Sequence, residues 1–183
     1  MSEVPGVSST PLPGLTTPAV HRAATVGPDW IPRSELIDGV QRSEVRHILT
    51  RHGATTEVWR RDWSTGMSEV AEVIVITLEP GTVTEWNLHR SRQDGVFAIA
   101  GQLKLVLYDP REASPTMGKV DVLFLGHVRP TFVLIPADVW HAFQVIGRQP
   151  ATWVNCFDEC YDHDEPDDWR LPPDSNEIPY RFS

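Results

Sequence analysis

Cysteine is scarce, with two residues in 183, and no apolar run approaches the roughly 20 residues that a membrane-spanning helix requires. The chain also lacks a surplus of base: 16 Lys and Arg face 25 Asp and Glu, a formal charge of -9. So acidic a chain repels a phosphate backbone and forgoes counterion release, which excludes nucleic acid as an expected partner. The N-terminus shows no basic segment followed by an apolar stretch, so no leader or membrane association is expected, and the protein reads as soluble and cytoplasmic. Cys156 and Cys160 lie four apart. On an extended strand they would be about 13 Å from one another, beyond disulfide reach, so they read as reduced thiols. A C-x3-C pair alone is a weak redox or zinc signal. Helical periodicity of any length is also missing.

What is present is a many-stranded pattern in a chain long enough for one domain. Residues 1–32 carry Pro5, Pro11, Pro13, Pro18, Pro28 and Pro32 among Ser, Thr and Gly, and read as a disordered or extended tail ahead of a domain at 33–183. From Val45 onward, short β-branched and aromatic runs are separated by Gly, Pro, Asp and Asn. Strands are expected at 45–50, 57–63, 70–78, 82–88, 96–100, 103–108, 120–125, 131–135, 140–146 and 152–157, with a tight turn at Ala100-Gly101-Gln102. Many short strands at even spacing imply a sandwich or barrel. The acidic run Asp162, Asp164, Glu165, Asp167 and Asp168 reads as a solvated loop. Most of the seven tryptophans read as core or interface residues.

The chemistry-bearing stretch is Gly81-Thr-Val-Thr-Glu-Trp86-Asn87-Leu-His89-Arg-Ser-Arg92-Gln-Asp94-Gly-Val-Phe-Ala-Ile-Ala-Gly101. Strand alternation puts Asn87 and His89 on one face, with Trp86 and Leu88 on the other. A second segment, Pro136-Ala137-Asp138-Val139-Trp140-His141, supplies another histidine. The first stretch resembles the spacing of the G-x5-H-x-H-x4-E-x6-G motif of metal-binding cupins, with Asn87 and Asp94 at the outer ligand positions. Three readings stay open. Asn87, His89, Asp94 and His141 gather round an iron, manganese or zinc ion; both histidines merely satisfy polar positions in a wet barrel; or His89 is a general base whose tautomer is fixed by a carboxylate.

Asp109-Pro-Arg111-Glu-Ala-Ser114-Pro115-Thr116-Met-Gly118 matches the D-x-R-x-x-S-P-T-x-G signature of the dTDP-4-dehydrorhamnose 3,5-epimerase family, non-metal cupins acting on 4-keto-6-deoxyhexose nucleotides. Leu88-His89, Ile135-Pro136 through His141-Ala142-Phe143, and Arg51-His-Gly53 through Glu57 extend the resemblance over residues 37–182. It implies an all-β double-stranded β-helix (cupin or jelly-roll barrel) with an extended N-terminal arm and a C-terminal segment lying back over the barrel. It implies a homodimer with shared edge strands, His89 as the base, Asp174 as its orienting carboxylate, Glu57 in base binding and His141 in the sugar pocket.

The departures from that family pattern are equally specific. Trp86 stands where the family has an arginine, Gln93 or Asp94 lies where a lysine is expected, and Val154 or Asn155 falls where the family's tyrosine acid should be. Ala54 or Thr55 replaces an aromatic beside the R-G motif. Arg92 is a candidate replacement cation, whereas Arg90 shares the outward parity of Trp86; Tyr161 or Cys156 could deliver a proton if the chain there turns inward. The resulting expectation is an epimerase-like isomerase that removes a proton next to a carbonyl, acting on a keto-sugar nucleotide or a related small carbonyl compound without a cofactor or metal. His89 and Asp174 are its catalytic pair, and Glu57, Arg51, Asn87, His141, Arg92 and Asn155 its substrate contacts. The alternatives are a metal-dependent cupin oxygenase, isomerase or cyclase, and a non-catalytic ligand-binding cupin.

Overall fold

The computed structural model describes residues 8–10, 19–21, 24–28, 35–63 and 65–183. Met1–Glu35 and Leu36–Ser183 are separate compact units. In the first, β1 (Ser8–Thr10) and β2 (Ala19–His21) pair antiparallel, with Ser8 opposite His21. The rest of the expected tail lies largely outside the described residues.

The second unit holds β3 (Gln41–Glu44), β4 (His47–Thr50), β5 (Gly53–Thr56), β6 (Glu72–Leu78), β7 (Trp86–Leu88), β8 (Asp94–Ala100), β9 (Gln102–Tyr108), β10 (Val120–Gly126), β11 (Thr131–Ile135), β12 (Trp140–Ile146), β13 (Ala151–Phe157) and β14 (Trp169–Leu171). No helix occurs among the described residues, so none is long and apolar enough to cross a membrane. Two five-stranded antiparallel sheets run in the orders β10-β9-β12-β7-β14 and β3-β11-β8-β13-β6, with β4 and β5 as a separate hairpin. The expected jelly-roll architecture is therefore present. Of the ten expected strands, 57–63 fails. Its Val58, Trp59 and Trp63 instead pack from a loop onto the outer face of the second sheet, against Val45, Met67, Phe97, Phe132, Leu134 and Cys156. Large apolar side chains satisfy a packing demand from a loop as readily as from a strand, and composition does not separate the two.

Period-two alternation sets the interior. Leu103, Leu105 and Leu107 of β9 meet Val96, Ala98, Val133, Phe143, Val145 and Trp153 from other strands between the sheets. Gly101 closes the β8–β9 turn at φ +72, and a Cβ there would fall 2.4 Å from the Pro150 carbonyl oxygen, so only glycine fits. Part of the outer face of the first sheet is also dry. Trp86, Val106 and Ala142 are covered by Ile178, Tyr180 and Phe182 of the C-terminal segment, and the Trp86 ring lies 5.5 Å from Phe182 and 6.4 Å from Tyr180. Trp86 thus points away from the barrel interior.

The S-P-T signature is structural. Asp109 is wholly buried and accepts hydrogen bonds from Arg111 Nε (2.8 Å), Ser114 Oγ (2.5 Å) and Thr116 Oγ1 (2.6 Å), while Arg111 Nη2 donates to the Asp38 carbonyl at 2.7 Å. Burial alone would raise the Asp109 carboxyl, but these donors reverse that and hold it well below the usual carboxylate range. Asp138, which stands where the resembling motif has glycine, adopts φ 61, a left-handed conformation that Asp tolerates better than most residues. Its N–H donates to the His89 carbonyl at 2.7 Å, tying this turn to the end of β7.

Asp109→Ala should leave Arg111 and two hydroxyls without their acceptor and cost about 3 kcal/mol in chemical denaturation. A carboxyl lowered by folding contributes stability that is fully present above its unfolded value near 4 and is lost as pH falls toward its folded value. The variant should therefore show a flatter loss of stability below about pH 4 than the parent.

Candidate active site

Between the two sheets lies a cavity of about 300 Å³, lined by residues of β6, β7, β8, β12 and β13 and by the segment at 161–170. Asn87 of β7 lies opposite His141 of β12, and Asp94 begins β8 opposite Phe157 of β13. The inward parity of those strands brings Asn87, His89, Asp94, His141 and Asn155 to one wall. Phe143, Trp153 and Phe157 supply apolar surface.

His89 is 7% exposed and held from behind by the acidic run. Its Nδ1 lies 2.5 Å from the Asp167 carbonyl oxygen, which can only accept, so Nδ1 carries a proton and Nε2 is the nitrogen turned toward Asp94. Asp168 Oδ1 is 3.3 Å from the same Nδ1. The Asp167 carboxylate takes hydrogen bonds from the Arg90 and Ser91 N–H groups, both at 2.8 Å, and from Ser91 Oγ at 3.0 Å. Asp167 and Asp168, the end of the expected solvated loop, thus form a strap across the end of β7, while Asp162, Asp164 and Glu165 are exposed as expected. Burial lowers the His89 pKa most. The Asp94 charge opposes this, His141 and Arg92 add to the lowering, and the net direction is down.

Arg92 supplies a buried cation, 6% exposed, with Nη2 bonded to Asp168 Oδ1 at 2.8 Å and its guanidinium 4.4 Å from the Phe157 ring centre. Arg90 instead faces solvent and pairs with Asp138. Tyr161 is the one tyrosine lining the cavity, and its backbone N–H is fixed by Glu72 at 2.8 Å. Cys156 belongs to the outer-face cluster, where burial pushes its thiol up; it does not face the cavity.

Asp94 lies between the two histidines. Oδ2 is 3.1 Å from His141 Nε2 and 3.4 Å from the Asn155 amide nitrogen, while Oδ1 is 3.7 Å from His89 Nε2 and has no hydrogen-bond partner. His89, Asp94 and His141 have the donor types and proximity to hold a metal ion.

Three expected site residues lie elsewhere. Asp174 is exposed beyond β14 and does not line the cavity, so the carboxylate at His89 is Asp168 instead. Arg51 is exposed at the β4–β5 turn. Glu57 pairs with Arg60 at 3.1 Å and borders a different cavity, of about 610 Å³, with Ser43, Val45, Ile48 and Trp63. Asn87, His141, Arg92 and Asn155 do join His89. The strap escaped sequence reading because its contacts span 76 to 78 residues and no local pattern marks them.

No family model matches the chain. A probable low-salt glycan biosynthesis epimerase of Haloferax volcanii is 34% identical over 139 residues, 75% of this chain and 89% of that protein. A spore coat polysaccharide biosynthesis protein of Bacillus subtilis is 30% identical over 148 residues, 81% of this chain and 97% of its own length. The crystal structure of a dTDP sugar isomerase from Desulfovibrio desulfuricans superposes with a TM-score of 0.73 at 31% identity, covering 79% of this chain and 90% of that one. With the barrel, the buried Asp109 network and the inward-facing His89 already in place, these likenesses show that the chain belongs to the dTDP-4-dehydrorhamnose 3,5-epimerase family and is an enzyme of the sugar-epimerase type.

Proposed function

We propose that the protein epimerises a 4-keto-6-deoxyhexose nucleotide by removing the proton on a carbon next to the ketone, with His89 Nε2 as the base. The observation that carries this reading is the fixed orientation of His89: Nδ1–H is committed to the Asp167 carbonyl, Nε2 turns toward the cavity, and burial lowers the ring's pKa in favour of the neutral form that can accept a proton. When the C–H bond breaks, the proton passes to Nε2 and the electron pair moves onto the carbonyl oxygen. Asp168 and Asp94 flank the imidazolium that forms. Arg92 is the buried cation available to the enolate oxygen, a role commonly worth several kcal/mol. Tyr161 is the phenol placed to return a proton to carbon, with Asn87, His141 and Asn155 as polar contacts to the sugar.

The active form is proposed to be a homodimer. Val73 and Val75 on the edge strand β6 and Ile99 on β8 leave apolar surface uncovered, and the β4–β5 hairpin exposes Ile48 and Leu49 beside Arg51. A second copy seated there would cover these residues and give Arg51 and Glu57, which lie away from this chain's own cavity, a route to its partner's. The two free thiols, Cys156 and Cys160, support a reducing cytoplasmic setting.

In deuterated water, the protein should exchange the α-hydrogen of a 4-keto-6-deoxyhexose nucleotide, and His89→Ala should abolish the mass increase. Absence of exchange with every keto sugar offered, or full exchange by the variant, would remove the proposal. Asp168→Ala should lower kcat about 100-fold because the base loses its alignment, and should also lower the melting temperature because Arg92 is left buried without its carboxylate. The base works only when neutral, so activity should rise with pH through the lowered His89 value. The acid limb of kcat/KM should therefore be centred below the ordinary imidazole value of about 6.5. Leu49→Asp should shift the mass measured by light scattering toward the monomer and raise KM more than it lowers kcat.

A further inference from the structure

We infer that His89 Nε2, Asp94 and His141 Nε2 form a site for a first-row divalent transition metal of the zinc class, and that its occupancy silences the enzyme by capturing the lone pair of the base. The last clause rests on the proposed role of His89; the metal site does not.

The inward atoms of this cluster are two imidazole nitrogens and a carboxylate. His89 commits Nδ1–H to the Asp167 carbonyl, and His141 commits its own to the Val139 carbonyl at 3.2 Å. Both Nε2 atoms therefore turn toward the Asp94 carboxylate, which is 2% exposed. A divalent ion seated among them would bond two imidazole nitrogens and a buried carboxylate at once, and the carboxylate would offset part of its charge. Two further buried oxygens have no hydrogen-bond partner: Asp94 Oδ1 and Asn155 Oδ1, the latter on a residue 5% exposed that lines the same cavity.

The dimensions suit the ion. At metal–ligand distances of about 2.0 to 2.2 Å, neighbouring tetrahedral ligands lie about 3.3 Å apart. The Asp94 oxygens are 3.1 and 3.7 Å from the two imidazole nitrogens, so small side-chain rotations complete the set. Both imidazoles are already oriented as metal ligands are, each donating its remote N–H to a carbonyl. Two nitrogen donors and a single carboxylate favour zinc, cobalt or iron over magnesium or calcium, which prefer all-oxygen surroundings. The cavity leaves the remaining coordination positions open to solvent or to a substrate oxygen.

Cobalt(II) chloride is the probe. Titrated into the metal-stripped, untagged full chain, it should bind once per chain and develop the intense visible bands of a four- or five-coordinate nitrogen–oxygen site. Asp94→Asn and His141→Gln should each weaken binding by about 100-fold, the upper range seen even when only the supporting partners of metal ligands are lost. Circular dichroism checks that the variants fold, and the zinc-induced rise in melting temperature of the parent gives a readout that needs no variant. A spectrum like that of the hydrated ion, or bands that persist in both variants, overturns the site. Deuterium exchange into the keto sugar should fall in proportion to occupancy; exchange unchanged at full occupancy overturns the silencing. If the stripped protein shows no exchange at all, the epimerase reading fails while the cobalt spectrum still decides the metal site.

Discussion

The contact on which the site depends is the one between the end of β7 and the strap at Asp167 and Asp168. β7 is only three residues long and His89 lies just past its end, where a backbone left to itself would fray. Three hydrogen bonds from residues 90 and 91 into the Asp167 carboxylate hold it, and the Asp167 carbonyl fixes the imidazole. Because one residue does both, the position of the base and its protonation pattern are coupled. Arg92 is drawn into the same arrangement through Asp168, so a cation that would be costly to bury alone is paired at its edge and stacked on Phe157.

The barrel supplies what the strap cannot. The two sheets bring Asn87, Asp94, His141 and Asn155 from four strands to one wall, and the interior behind them is closed by Leu105, Phe143 and Trp153. The part of the chain that marks the family most clearly takes no part in the chemistry. Asp109, Arg111, Ser114 and Thr116 close the loop between β9 and β10 and reach back to Asp38. A signature can thus identify a fold through the hydrogen bonds that hold a loop, while the reacting groups vary elsewhere.

Local periodicity made much of this readable. Alternation along β7 put Asn87 and His89 inside and Trp86 outside, and the structure agrees at each residue. The strands at 96–108 and 120–157 were legible because their alternating apolar faces meet one core. What failed was whatever depends on contacts far apart in sequence. Asp167 and Asp168 looked as solvated as the rest of the acidic run because nothing near them in the chain needed their charge, yet their partners are Ser91 and Arg92. Asp174 is the aspartate that the family pattern offers near the C-terminus, and it lies at the surface; the carboxylate beside His89, Asp168, comes from a run whose neighbours in sequence give no hint of that contact. At Trp59 and Trp63, composition suggested a strand where packing required only bulk.

The last seventeen residues combine two duties that enzymes often assign to separate parts. From Asp167 onward the chain first braces the base and then, through Ile178, Tyr180 and Phe182, roofs over Trp86 on the opposite side of the same sheet. β14 joins the two by pairing with β7 itself. Peeling this segment away would therefore uncover the hydrophobic outer face in the same motion that releases His89. The molecule has no means of keeping a loosened C-terminus and a working site together, so the active population is bounded by the population in which the terminal segment is fully seated.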